Sequence, residues 1–452
     1  MIYRTFQILL FFSLTTSINL QLKDTTIKQT KSPTTKTSKR KLKMSILVTL
    51  PEDLISEILL RLPVKSLQRF KCVSKSWYAH IIDSRFMLKH FVSSNNHELL
   101  LISHVKPAKR QLLSLISSET FDIKNKHFQL SFPSSNEENR SFAHILGPCN
   151  GIFCVFDAKD GAISLWNPAN RQLKNLPRSY VKPPLDAYTF DLCVGFGFDD
   201  ERNEYKVLAF KHMCLPSSST IAHAELYTLS TNKWKEIDVG EEFQPTGNLP
   251  CSSSSPSIDG IFSWFEIDNH VQKVIFSFNM KNEVFTKTQL PYYNGIPSKR
   301  VHGCLASLKN NLAFIHDYPL AGVSKSFDVW VLGEYGVRES WMKQLTIGPV
   351  VGVAAPLGLW KNGELLLEHA ERNLVSYNPI TQDMKDLQAR GFINVLQVLP
   401  YKESLVCLQE AEEINHNREV IPFSVSECED ENSLQIPSSS NSLNSENNSS
   451  AV

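Results

Sequence analysis

Residues 50–90 read LPEDLISEILLRLPVKSLQRFKCVSKSWYAHIIDSRFMLKH, and their apolar side chains recur at helical spacing. Leu54, Ile58 and Leu62 follow Pro51 at four-residue steps, flanked by Ile55 and Leu59. After Pro63 a second set starts at Leu67 and runs through Phe70, Val73 and Trp77. This pattern predicts two or three short amphipathic helices with broad apolar faces. Pro51 suits a first helical position, Glu52 and Asp53 favour the positive N-terminus, and Pro63 ends the run. A segment this short cannot stabilise a core without disulfides, metal or a partner, so its apolar faces must dock onto something.

The order of these residues resembles an F-box. Leu50-Pro51 opens the pattern, Ile58-Leu59 and Leu62-Pro63 follow, and Leu67, Val73, Ser74-Lys75 and Trp77 complete it. The resemblance implies contact with the Skp-type adaptor of a cullin-based ubiquitin ligase. It assigns that contact to Leu50, Pro51, Ile58, Leu59, Leu62, Pro63, Leu67, Val73 and Trp77. Periodicity alone equally allows a helical hairpin packed on the rest of the chain.

At 452 residues the chain has room for this module (44–90), a large domain (97–410) and two tails. The net charge of +1 gives no general argument for nucleic-acid binding. That balance hides an asymmetry: residues 1–43 hold nine Lys or Arg against one acid, and residues 411–452 hold eight acids against one Arg. The basic leader and the acidic, Ser/Asn-rich tail are both expected to be disordered, since neither can bury enough apolar area. Nine cysteines, odd in number and without paired metal spacing, suggest reduced thiols and no disulfide framework. Against this, Arg4 and the apolar run from Ile8 to Leu14 resemble a secretory signal, too short to span a bilayer. Asn139-Arg140-Ser141 is a matching glycosylation triplet. Met44 lies six residues before Leu50, where F-box proteins commonly start. A cytoplasmic or nuclear protein is therefore expected, with residues 1–43 an extension or dispensable leader.

From about residue 97 the pattern turns β-rich, with aromatic and branched strands between Asn, Asp, Gly, Ser and Pro clusters. Five segments share one form, a turn followed by an apolar strand: NGIFCVF at Asn150, NEYKVLAF at Asn203, DGIFSWF at Asp259, NNLAFIH at Asn310 and NGELLLE at Asn362. Their first residues are 53, 56, 51 and 52 apart. Each is followed by a strand, a polar turn and another strand, as in ISLWNPANRQLKNLP. A period near fifty with four short strands per unit is that of kelch-type propeller blades. Residues 97–132 supply a degenerate further unit, and 401–408 can return to close it, giving six blades. Two stacked sheets remain the competing arrangement. CNGIFCVFD, LWNPANRQLKNLP and VGFGFDDERNEYKVLAF resemble the F-box-associated domain of plant F-box proteins, including the S-locus F-box and F-box/kelch-repeat groups, over about 97–400. The double glycine of better-known kelch repeats is missing. The expected fold class is α+β, a small N-terminal helical F-box followed by an all-β propeller.

No phosphate loop, HExxH, GxSxG or pair of CxxC motifs occurs, so no catalytic residue, metal or cofactor is expected. Cys304 and His316-Asp317 lack recognisable partners, and the tryptophans in strand-like segments read as sheet core. The implied role is a non-catalytic substrate-recognition subunit of an SCF-type ubiquitin ligase. Its partners would be the adaptor, through it a cullin scaffold, and an unidentified target, with no nucleic acid or membrane. A propeller scaffold or ligand binder without ligase recruitment is the rival. Target contacts are expected on long loops at 178–190, 211–223, 240–258 and 292–302. The last carries Tyr292, Tyr293, Lys299 and Arg300, a composition typical of interface hot spots and equally of a solvated loop.

Overall fold

The Asn, Asp and Gly residues that punctuate the β-rich region stand where the backbone turns left-handed. In a computed structural model, Asn150, Asn203, Asp259 and Asn310 have φ of 48°, 52°, 49° and 63°. Gly363, the second residue of the fifth turn, has φ 78°. Short polar side chains tolerate that conformation and branched ones do not, so these positions fix the first hairpin of each repeat. The outer hairpins use the same device at Arg171, Asn232, Glu283, Gly336 and Gln382, with φ between 52° and 85°. The structure describes residues 52–93, 99–105, 111–117, 123–131, 143–157, 161–178, 189–214, 220–243, 256–268, 270, 272–292, 301–319, 324–360, 363–390, 396–408 and 424–428.

The repeats form six antiparallel sheets, one per blade. Blades two to six span residues 143–175, 189–237, 257–289, 302–351 and 353–390, each with four strands in sequence order. Blade one joins strands from both ends of the domain: Gln397–Tyr401 pairs with Leu99–Val105, followed by Gln111–Ser117 and Ile123–Ser131. Apolar clusters lie between blades rather than between two layers. Leu113 and Leu115 of blade one pack with Ile145 and Phe153 of blade two. Ile152 and Phe156 of blade two share a cluster with Val194 and Phe196 of blade three, and the Phe210 ring lies near Phe276 of blade four. Phe265 meets Phe314, Ile315 shares a cluster with Leu367, and Leu366 shares one with Leu100. The contacts run round a closed ring, which settles the architecture as a six-bladed propeller. Trp166, Trp234, Trp264 and Trp341 are buried in it.

Four features correct the reading of the sequence. The closing strand is Gln397–Tyr401, four residues ahead of the expected 401–408. Pro400 falls inside it, which is tolerated because the inner edge of an innermost strand faces the axial cavity and needs no donor. Residues 402–408 instead form an irregular strap, with Leu405 and Leu408 buried. Within the acidic tail, Ser424–Cys428 pairs antiparallel with Ile123–Ser131 as a fifth strand of blade one. Finally, Cys193 is disulfide-bonded, whereas Cys72, Cys149, Cys154, Cys304 and Cys407 are free thiols.

Side chains also bridge the blades. The Gln111 amide donates to Ala143 O (2.8 Å) and accepts from Ala143 N (2.7 Å). The Gln397 amide does the same at Ile145, at 3.0 and 3.2 Å, so two glutamines clamp the closing blade to its neighbour. In the segment VGFGFDDERNEYKVLAF, a Cβ on Gly195 would lie 2.5 Å from the Phe262 ring, so only glycine fits there. Further along, buried Asp199 accepts from Lys206 Nζ (2.9 Å) and Arg202 Nη1 (2.9 Å). Lys206 also donates to Met280 O (2.6 Å) and Glu283 (3.1 Å) in blade four. Burial opposes ionisation of Asp199, but the Lys206 and Arg202 hydrogen bonds prevail and hold its carboxyl at about 2, below the ordinary 3.8. Its contribution is thus present above the ordinary carboxylate value and is lost as pH falls towards 2. Lys206→Ala would leave that buried carboxylate with exposed Arg202 as its remaining cation and strip Met280 O and Glu283 of a donor. It is expected to destabilise the domain by about 3 kcal/mol in urea unfolding at neutral pH.

Candidate functional site

The N-terminal module has four helices where two or three were expected: α1 (Glu52–Leu60), α2 (Val64–Phe70), α3 (Lys75–Ile82) and α4 (Ser84–Ser93). Pro63 serves as N-cap of α2 in extended conformation, so it both ends one helix and sets up the next. Ser74 caps α3, its hydroxyl accepting from Trp77 N at 3.2 Å, and Asp83 caps α4 through Arg85 N and Phe86 N. These caps give a local reason for Ser74 in the Ser-Lys-x-Trp segment.

Inside the module Leu59, Leu60, Val64, Leu67, Ile81 and Phe86 form one core, completed by Leu405 from the strap and bordered by Ala169 of blade two. The Phe70 and Trp77 rings meet edge to face at 5.4 Å. His90 is buried and donates from Nε2 to Leu62 O at 2.8 Å. Burial lowers its proton affinity, outweighing the Leu62 carbonyl that raises it, so the ring stays neutral near neutral pH. Polar ties hold the helices together: His80 Nε2 to Ser56 Oγ at 3.2 Å, and Lys89 to Glu57 at 3.1 Å. The strap is itself pinned, because Asn167 and Asn170 donate to Val406 O at 2.8 and 2.7 Å, and Gln172 accepts from Leu408 N at 2.9 Å.

This packing divides the residues expected at an adaptor contact. Leu59 and Leu67 are fully buried, so they hold the helices together and do not reach the surface. Ile58, Leu62, Pro63, Val73 and Trp77 are half-buried, with part of each side chain outward. Leu50 and Pro51 lie outside the described residues. The sequence reading missed the most exposed apolar positions, Leu54 (51 % exposed), Tyr78, Ile82, Leu88 and Val92 (72 %). Tyr78/Ile82 and Leu88/Val92 are i, i+4 pairs, each a stripe on one helix face. The signal was present, but helical periodicity does not say which stripe a core will cover.

Of the expected target contacts the structure places Tyr292, which is 66 % exposed with the Arg338 guanidinium 3.4 Å from its ring centre. Arg338 also donates to Gln289 Oε1 at 3.1 Å, joining the rims of blades four and five. The adjacent strand Trp341–Val351 exposes Met342, Leu345 and Val351. Tyr293, Lys299 and Arg300 lie outside the described residues, as do most of the four long loops. Lys211, His212 and Met213, expected in one of those loops, belong to the strand Glu204–Cys214.

Among the described residues no group of three or more His, Cys, Asp or Glu is placed to hold a metal ion. Nor is any described helix long and apolar enough to cross a membrane. Cys304 and His316 sit on adjacent strands, but burial pushes the Cys304 thiol far up and keeps it protonated, unlike an activated nucleophile.

The sequence matches two families, the F-box domain over residues 47–89 and the F-box associated beta propeller domain over residues 96–410. Similar proteins in Arabidopsis thaliana include "F-box protein At3g07870", 29 % identical over 77 % of this chain and 89 % of that protein. "F-box/kelch-repeat protein At3g23880" is 26 % identical over 73 % of this chain and 87 % of its own length.

Proposed function

This chain belongs to the F-box proteins with an F-box associated beta propeller domain, and from that membership we propose that it is the substrate-recognition subunit of an SCF-type ubiquitin ligase. The observation that carries the reading is the two-sided packing of the helical module. One side is anchored to the strap through Leu405, while Leu54, Ile58, Leu62, Tyr78 and Ile82 are left wholly or partly outward. A Skp-type adaptor would cover that apolar surface and link the chain to a cullin scaffold. The propeller would hold the target, with the rim around Tyr292, Arg338 and Met342 as the first surface to examine. The chain itself would make no bond. It would hold a target lysine near the ubiquitin carrier, making transfer effectively intramolecular.

Affinity purification from plant cells with the proteasome blocked tests this. The adaptor and cullin should co-purify, together with ubiquitin-modified proteins lost when Tyr292 and Arg338 are both changed to Ala. Absence of the adaptor would instead favour a scaffold or ligand-binding role. We further propose that the protein works in the cytosol or nucleus. Tagged chains starting at Met1 and Met44 should then both be found there, without sugar at Asn139. A glycosylated major species would overturn that location.

A further inference from the structure

The innermost strands border an axial cavity of about 410 Å³, within the range of small-ligand sites. Its wall includes Leu357, Leu359 and Val398, interrupted by small residues such as Ser307 and Gly358. At Gly358 no atom lies within 4 Å of where a Cβ would stand, so the wall there faces open space. Glu368, from the second strand of blade six, also lines the cavity and is only 4 % exposed. Among the described residues no hydrogen bond to its carboxylate is present. The Gln397 amide, the other long polar side chain on the wall, is engaged by the Ile145 backbone.

We propose that this cavity binds an aliphatic primary ammonium group, with Glu368 as its counter-ion. A carboxylate on a largely apolar cavity wall that accepts no hydrogen bond from the described residues is costly to ionise, and an ammonium brings three donors and the opposite charge. Burial raises the proton affinity of Glu368, with exposed Arg372 acting the other way, so an incoming cation would restore the ionised form. The apolar wall suits the methylenes behind the charge. Such a group can come from a free amine or from a lysine side chain of a target.

Calorimetric titration of the full-length protein separates the two, using 1,5-diaminopentane in one arm and a capped peptide with one internal lysine in the other. Saturable binding in either arm is expected, and the arm that binds identifies the source. Acetylating the peptide lysine should remove its binding. Glu368→Gln should weaken binding about tenfold or more, the loss expected for a charge-assisted hydrogen bond. Ser307→Phe, which fills the cavity from its exposed wall, should abolish binding, and it decides the matter if Glu368→Gln does not fold. No saturable heat in either arm at millimolar concentration, or unchanged affinity in both variants, would overturn the proposal. Adaptor binding by both variants should match the unaltered chain, so this site can fail without touching the ligase role.

Discussion

A chain ending at Leu396 should lose the cooperative unfolding of the β-domain. It would lack Gln397–Tyr401, which pairs with Leu99 through Ser103, and with it the buried Tyr401 and the Gln397 clamp on Ile145. Blade one would then face the axis with an unpaired edge, and the ring would be open between its first and last repeats. Thermal melting followed by circular dichroism should show a broad transition or aggregation in place of a single one. A chain ending at Leu408 keeps the closing strand and the strap and, among the described residues, loses the edge strand Ser424–Cys428. It should melt cooperatively but aggregate more readily, because the edge Ile123–Ser131 is uncovered. Equal melting of the Leu396 truncation and the full chain would remove the argument for closure.

The second large effect is expected at Leu405. This residue is buried among Leu59, Leu67 and Ile81, although it comes from the opposite end of the chain. Leu405→Ala should destabilise the helical module by about 3 kcal/mol, as buried leucine truncations do when the site cannot collapse. Asn167, Asn170 and Gln172 keep the strap backbone in place, so the propeller transition should barely move. Limited proteolysis should therefore release residues 52–93 faster than from the unaltered protein, with the β-domain persisting. If both parts melt together and earlier, the strap serves the whole fold rather than the helices.

The propeller was legible because its hairpins need left-handed residues, and Asn150, Asn203, Asp259 and Asn310 meet that need at a regular period. Blade one was faint for a physical reason. Its strands come from both ends of the domain, so no local period records them, and Pro400 inside Gln397–Tyr401 looks like a strand breaker. The edge strand in the tail was hidden by averaging, since the short run VIPFSVSEC is followed by Glu429, Asp430, Glu431 and a Ser/Asn-rich stretch. In the helical module the apolar pattern gave the helices but not their sides. Leu59 and Leu67 turn inward while Leu54 and Tyr78 turn outward, and that choice depends on Leu405, more than 300 residues away in sequence. The disulfide at Cys193 was likewise beyond a count of cysteines, because pairing depends on which strands meet.

Recruitment of a Skp-type adaptor by the helical surface is tested by direct titration of purified adaptor against the full chain. Saturable binding is expected, weakened by about 2 kcal/mol in Leu62→Ala. Binding should be lost when Ile58 and Leu62 are both replaced by Glu, with the β-domain melting unchanged. No binding by the unaltered chain, or full binding by the doubly charged variant, would contradict it.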